Sequence, residues 1–203
     1  MKLYYSPGAC SLATHIVLEW IGKPYTTHPV DIHDPKSPEL LERNPSGQVP
    51  VIEEGSWVLT QNSAVLNYLA DMHPEAKLGG DGTPKGRAEV NRWLGFVNSD
   101  MHPLFKPLFG STSYLGDEAT IEKTRTNAKQ ALRSLFERND KQLDGRDWIT
   151  GTRSIADPYL YVMVRWAKAQ GIDISGLDNL ERFFGRMDSD AAVKKVLKDE
   201  GLD

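Results

Sequence analysis

Cys10 is the residue in this chain best placed for nucleophilic chemistry. It follows the turn Ser6-Pro7-Gly8-Ala9, where a β-prone run, Lys2–Tyr5, gives way to helical periodicity. A thiol at that junction meets free backbone N–H groups and the positive end of a helix dipole, and both favour the thiolate. Position alone leaves a second reading open, that of a small buried apolar residue. Cys10 is the only cysteine, so an internal disulfide is excluded. A Cys10 thiolate must act alone or with an external thiol.

Two further segments carry polar groups at strand or helix ends. In Gln48-Val49-Pro50 a proline enters an apolar β-run. A cis proline there would leave the backbone N–H and C=O of Val49 free to pair with an extended peptide, whereas the ordinary alternative is an edge-strand proline. In Thr60-Gln61-Asn62-Ser63-Ala64-Val65 a strand ends where a helix begins. Such a junction either binds a ligand carboxylate or is a simple polar cap.

The elements that must position these groups are short and alternating. Lys2–Tyr5 reads as a strand, and Leu12, Ile16, Val17, Trp20 and Ile21 share one helix face that Gly22 closes. Pro24–Asp31 reads as a second strand, parallel to the first across that helix. Ser37-Pro38-Glu39 opens a short helix that stops before Asn44-Pro45. Val49–Glu54 and Trp57–Thr60 flank the hairpin turn Gly55-Ser56, and a helix spans Asn62–His73. This order, βαβ, helix, ββα, is a thioredoxin-like arrangement.

After the Gly/Pro-rich stretch 74–84 the strand patterns vanish. Helices are expected at Lys85–Phe105, Asp117–Gln142, Ser154–Gln170, Leu177–Met187 and Asp190–Glu200. The division is residues 1–80, thioredoxin-like α/β, and 85–203, all-helical. In Ser154-Ile155-Ala156-Asp157 the serine and aspartate form a variant capping box, a folding device in which Ser154 accepts from the Asp157 N–H and the carboxylate reaches back.

Composition narrows the partners. A net charge of −4 gives no general attraction to nucleic acid or acidic membranes. No run approaches ~18 apolar residues, as a membrane span would need. The opening MKLYYSPGAC lacks a secretory pattern, and a lone cysteine suits a reducing compartment, so a cytoplasmic location is expected. The histidines have no acidic or cysteine partner at ligand spacing, so no metal site is expected.

MKLYYSPGACSLATHIVL, NPSGQVPV and LTQNSAVLNYLAD together resemble the beta class of bacterial glutathione transferases. The resemblance continues through Trp93-Leu94, His102-Pro103-Leu104-Phe105, Ser154-Ile155-Ala156-Asp157-Pro158-Tyr159-Leu160 and Asp199-Glu200-Gly201-Leu202. It implies glutathione as co-substrate, with Cys10 beside its sulfur and able to form a mixed disulfide. It also implies that the Val49 backbone pairs with the cysteinyl unit, that Gln61 and Asn62 hold the γ-glutamyl end, and that Lys36, or else His33, meets the glycyl carboxylate. His102 matches the family's active-site histidine, with Ser99 at i−3 on the same helix face. Gly95 replaces an expected asparagine and Pro103 an expected lysine, and Gln61 lacks the negative charge of the glutamate more familiar there.

The implied activity is conjugation of the glutathione thiolate to electrophilic compounds, with thiol–disulfide exchange through Cys10. The protein is expected to be a detoxifying homodimer. The alternatives are another glutathione-dependent enzyme, an isomerase or dehalogenase, and a non-catalytic carrier of glutathione or apolar ligands. The aromatic and apolar residues Trp93, Phe96, Phe105, Leu108 and Phe109 are expected in the core or an interface rather than against substrate.

Overall fold

A computed structural model describes residues 1–33, 37–110 and 112–203. The first half builds strand β1 (Lys2–Tyr5), helix α1 (Ser11–Ile21), strand β2 (Thr26–Pro29), helix α2 (Pro38–Arg43), strands β3 (Val51–Glu54) and β4 (Trp57–Thr60), and helix α3 (Asn62–Met72). The sheet order is β2-β1-β3-β4. β1 and β2 run parallel, as the α1 crossover requires, and the other pairs are antiparallel. Leu3 faces Ile52, and Ile52 faces Leu59, so one apolar row crosses three strands.

α1 lies against this sheet because Leu12, Ile16 and Val17 recur on one face, and all three are fully buried. Its C-terminus closes at Gly22, whose left-handed φ of 71° brings the Gly22 N–H to Leu18 O at 3.2 Å. The cap expected of Ser37 is absent: its side chain makes no cap bond, and Pro38 starts α2 unaided.

The second half is helical: α4 (Pro84–Gly95), α5 (Glu118–Gln142), α6 (Ala156–Ala169), α7 (Asp178–Ser189) and α8 (Ala191–Asp199). α6 buries nearly every residue from Ala156 to Val164 and is the central rod. One apolar cluster joins the halves, running from Leu3, Leu12 and Ile16 through Tyr159 and Val162 to Val193. Truncating Ile16 to alanine at its centre would remove about 2–5 kcal/mol.

The helix expected over Lys85–Phe105 changes its winding instead. α4 ends at Gly95, a π-helical turn covers Phe96–Met101, and a 3-10 segment covers His102–Phe109. Pro103 and Pro107 have no N–H for the i→i−4 ladder. The His102 N–H reaches five residues back to Val97 O, which inserts one residue into the turn.

The α6 capping box is half as expected. The Asp157 carboxylate accepts from the Ser154 N–H at 2.7 Å and the Ile149 N–H at 2.9 Å. The Ser154 hydroxyl instead donates to Asp157 Oδ2 at 3.0 Å and accepts from the Ala156 N–H at 3.3 Å.

Candidate active site

The N-terminal ends of α1, β3 and α3 converge. The Val49–Pro50 peptide is cis, and Asn44 fixes its approach by donating from Nδ2 to Gln48 O at 2.8 Å. Among the described residues no acceptor meets the Val49 N–H. Cys10 Sγ donates to Val49 O at 3.2 Å. Asn62, which starts α3, donates from Nδ2 to Cys10 O at 3.1 Å and accepts from Thr14 Oγ1 at 2.8 Å. Three segments far apart in sequence are thus tied at one point.

The ionisation expected of Cys10 is not what this packing gives. Burial pushes the thiol up to about 12, against the opposing pull of the Cys10 and Ser11 backbone N–H groups. Cys10 is half-buried and sits deep between α1 and Val49. This packing favours the thiol over the thiolate, against the activation expected of Cys10: desolvation outweighs the helix terminus.

His102 forms the facing wall. Its Nδ1 lies 2.6 Å from the Tyr159 hydroxyl, which donates to Asn98 Oδ1 at 3.2 Å. The ring packs edge-on against Trp166 at 5.0 Å. Burial, helped by the Lys106 charge, pulls the imidazole down to about 4. Tyr159 connects the walls: burial raises its hydroxyl far above the usual range, an ionised Cys10 would add to that, and a hydrogen bond from the Asn62 side opposes it.

The turn before Cys10 is held from the helical half. Trp166 Nε1 donates to Gly8 O at 2.8 Å, and the Gly8 N–H donates to Glu200 Oε2 at 2.9 Å. The other Glu200 oxygen lies 2.8 Å from His15 Nδ1, with both side chains buried. Gly8 adopts a φ of 71°, which a β-carbon would oppose.

Cys10, Val49, Asn62 and, through Tyr159, His102 therefore come together. The Asn62 side chain is consumed internally, so only its backbone N–H remains for a ligand. Gln61 is exposed at the start of α3 with φ 71° and ψ 112°, an uncommon backbone for a non-glycine residue; strained residues of this kind cluster at ligand sites. Ser99 is exposed, and Asn98 rather than Ser99 reaches Tyr159. Lys36 lies outside the described residues, and His33 is exposed with its N–H on Asp31 Oδ1 at 2.7 Å. Sequence reasoning missed Asn98, Tyr159, Trp166 and Glu200. Asn98, four residues before His102, could have been found from the i, i+4 spacing of one helix face.

Among the described residues no group of three or more His, Cys, Asp or Glu side chains could hold a metal ion. No described helix is long and apolar enough to cross a membrane.

Comparison with known proteins gives one family. Residues 8–72 match the model for the N-terminal domain of glutathione S-transferases. A curated glutathione S-transferase of Xanthomonas campestris pv. campestris is 53% identical over 203 residues, covering 100% of both chains. The solved glutathione-S-transferase from Xylella fastidiosa is 50% identical with a TM-score of 0.96, covering 100% of this chain and 99% of that one. A bacterial beta class glutathione S-transferase of Sphingomonas chungbukensis is 37% identical with a TM-score of 0.88, both chains covered at 100%. A site built from a cis-proline strand, a lone thiol and a facing histidine, on a chain half-identical end to end to a named transferase, places this protein in the glutathione S-transferase family.

Proposed function

We propose that the protein conjugates glutathione to small electrophilic compounds and that His102, rather than Cys10, takes up the thiol proton. The observation that carries this reading is geometric: Tyr159, hydrogen-bonded to His102, also lies beside Cys10 and Asn62, so the imidazole and the thiol end of α1 share one site. Glutathione lies along the Val49 backbone. Gln61 and the free N–H groups of α3 hold its γ-glutamyl end, and Lys36 or His33 meets the glycyl carboxylate. Residues 1–80 hold glutathione and 85–203 receive the second substrate. The restriction of all described strands to residues 2–60 supports that division.

The step balances without another reagent. The glutathione S–H proton passes to the imidazole lone pair, and the sulfur attacks an electrophilic carbon. With an aryl halide the C–S bond forms and the carbon–halogen bond breaks, its electron pair leaving on the halide. The imidazolium then releases the proton to water. Exchange through Cys10 is secondary, because its thiol is un-ionised and already donates to Val49 O.

The protein works as a cytoplasmic detoxifying homodimer in this reading. Trp57 and Met72, 44% and 52% exposed on β4 and α3, leave apolar surface for a second copy to cover. The test is a thermal scan with glutathione and a turnover assay with an aryl halide. Ligand at a hundred times its Kd should add about 2.7 kcal/mol of stability. An unmoved midpoint, or no conjugate, overturns the reading.

A further inference from the structure

The His102–Tyr159–Asn98 chain has a proton count that decides how the imidazole is used. The Tyr159 hydroxyl has one proton to donate and two groups that could take it, Asn98 Oδ1 at 3.2 Å and His102 Nδ1 at 2.6 Å. A carbonyl oxygen only accepts. With the tyrosine proton on Asn98, the short contact to His102 requires Nδ1 to carry a hydrogen and donate it to the tyrosine oxygen. The other ring nitrogen, Nε2, then holds the bare lone pair. Among the described residues Nε2 has no hydrogen-bond partner, and it is not among the sealed, unpartnered atoms of the interior, so it is accessible from outside.

We propose that Asn98 and Tyr159 are positioning residues that hold His102 as the Nδ1–H tautomer, with Nε2 presented as the proton acceptor for the substrate thiol. Asn98 lies four positions before His102, the spacing that puts two side chains on one helix face, and both reach the same hydroxyl. Tyr159 is fully buried, and its hydroxyl stays protonated because burial disfavours the phenolate. The hydroxyl is therefore a fixed relay between an acceptor-only oxygen and the ring. The role resembles that of any group that fixes a catalytic imidazole through its far nitrogen. It rests on the reading of His102 as the proton acceptor.

The test is to observe the imidazole nitrogens of His102 directly, by long-range proton–nitrogen correlation on the full-length 15N-labelled protein at pH 7.5, assigned by the signal lost in His102→Gln. The wild type should show hydrogen on Nδ1 and a bare Nε2. In Asn98→Leu the tyrosine proton has only Nδ1 to go to, so hydrogen should move to Nε2. Turnover with glutathione and an aryl halide should then fall about tenfold or more, with the KM for glutathione changed less than about threefold. Asn98→Asp, which keeps an acceptor, should keep the Nδ1–H tautomer and restore most of the turnover. Should Asn98→Leu fail to fold, Tyr159→Phe serves instead and should give a mixture of tautomers. A wild-type ring protonated on Nε2, or an Asn98→Leu or Tyr159→Phe ring still wholly Nδ1–H, overturns the proposal. Full turnover in His102→Gln overturns the proton-acceptor reading instead, whatever the tautomer.

Discussion

The two walls of the cleft hold their titratable groups neutral against different local fields. On the thioredoxin-like wall, the Cys10 and Ser11 N–H groups pull the thiol toward ionisation, yet burial carries it up to about 12. On the helical wall, burial and the Lys106 cation act together and carry His102 down to about 4. A helix terminus contributes roughly 0.3–1 kcal/mol at the surface and up to about 2 kcal/mol in favourable geometry, which is too little to offset the desolvation of a packed sulfur. A favourable terminus alone is therefore weak grounds for an ionised cysteine. In the proposed function the proton acceptor is instead the His102 imidazole, which burial keeps neutral.

The largest expected effect concerns Cys10. At pH 7 a free cysteine is about 3% thiolate, whereas a thiol near 12 is about one part in 10⁵ ionised. Alkylation of ligand-free Cys10 by iodoacetamide should run about 100-fold or more slower than that of a free thiol, allowing for the higher intrinsic reactivity of a basic thiolate. A rate equal to free cysteine would erase the contrast between the two walls.

The next effect is on stability. His102 binds its proton near pH 6.5 when unfolded but only near 4 when folded. It therefore removes stability as pH falls through that window, by about 3 kcal/mol in all. Asp157 acts in the opposite sense. Burial raises its carboxyl from 3.8 to about 6 despite the bonds from Ile149 and Ser154, so stability is lost as pH rises from about 4 to 6, by a similar amount. Between pH 6.5 and 4.5, urea midpoints of His102→Gln should rise relative to wild type, and those of Asp157→Asn should fall. Parallel curves for all three proteins would contradict both assignments.

The smallest effect tests a residue outside the chemistry. Ser154→Ala should lose about 1–2 kcal/mol, because the buried hydroxyl both donates and accepts at the start of α6. Turnover per folded molecule, measured well below the melting point, should stay within about twofold. A larger drop would mean that α6 transmits strain to Tyr159.

The thioredoxin-like wall was legible because its signals are local. Alternation marked Lys2–Tyr5 and Trp57–Thr60, periodicity marked α1, and Gly22 and Gly55 sit where the turns need them. The convergence of Cys10, Val49 and Asn62 followed from that order of elements. The helical wall was less legible. Whether Pro103 and Pro107 stop a helix or rewind it depends on what packs beneath, so the π turn was invisible. Nothing local says that Asn62 turns inward to Thr14, or that Glu200 reaches across 192 residues to Gly8. Burial is likewise a tertiary property, and it reversed the expectation for Cys10.

The division of labour between thiol and imidazole is tested most directly by aryl-halide turnover in Cys10→Ala and His102→Gln, measured side by side at saturating glutathione. Cys10→Ala should keep conjugation within about threefold of wild type, since the helix termini and His102 remain. His102→Gln should lose about 100-fold, the usual scale for removing a positioned proton acceptor. The reverse result, with Cys10→Ala inactive and His102→Gln active, would contradict the account and return the chemistry to the cysteine.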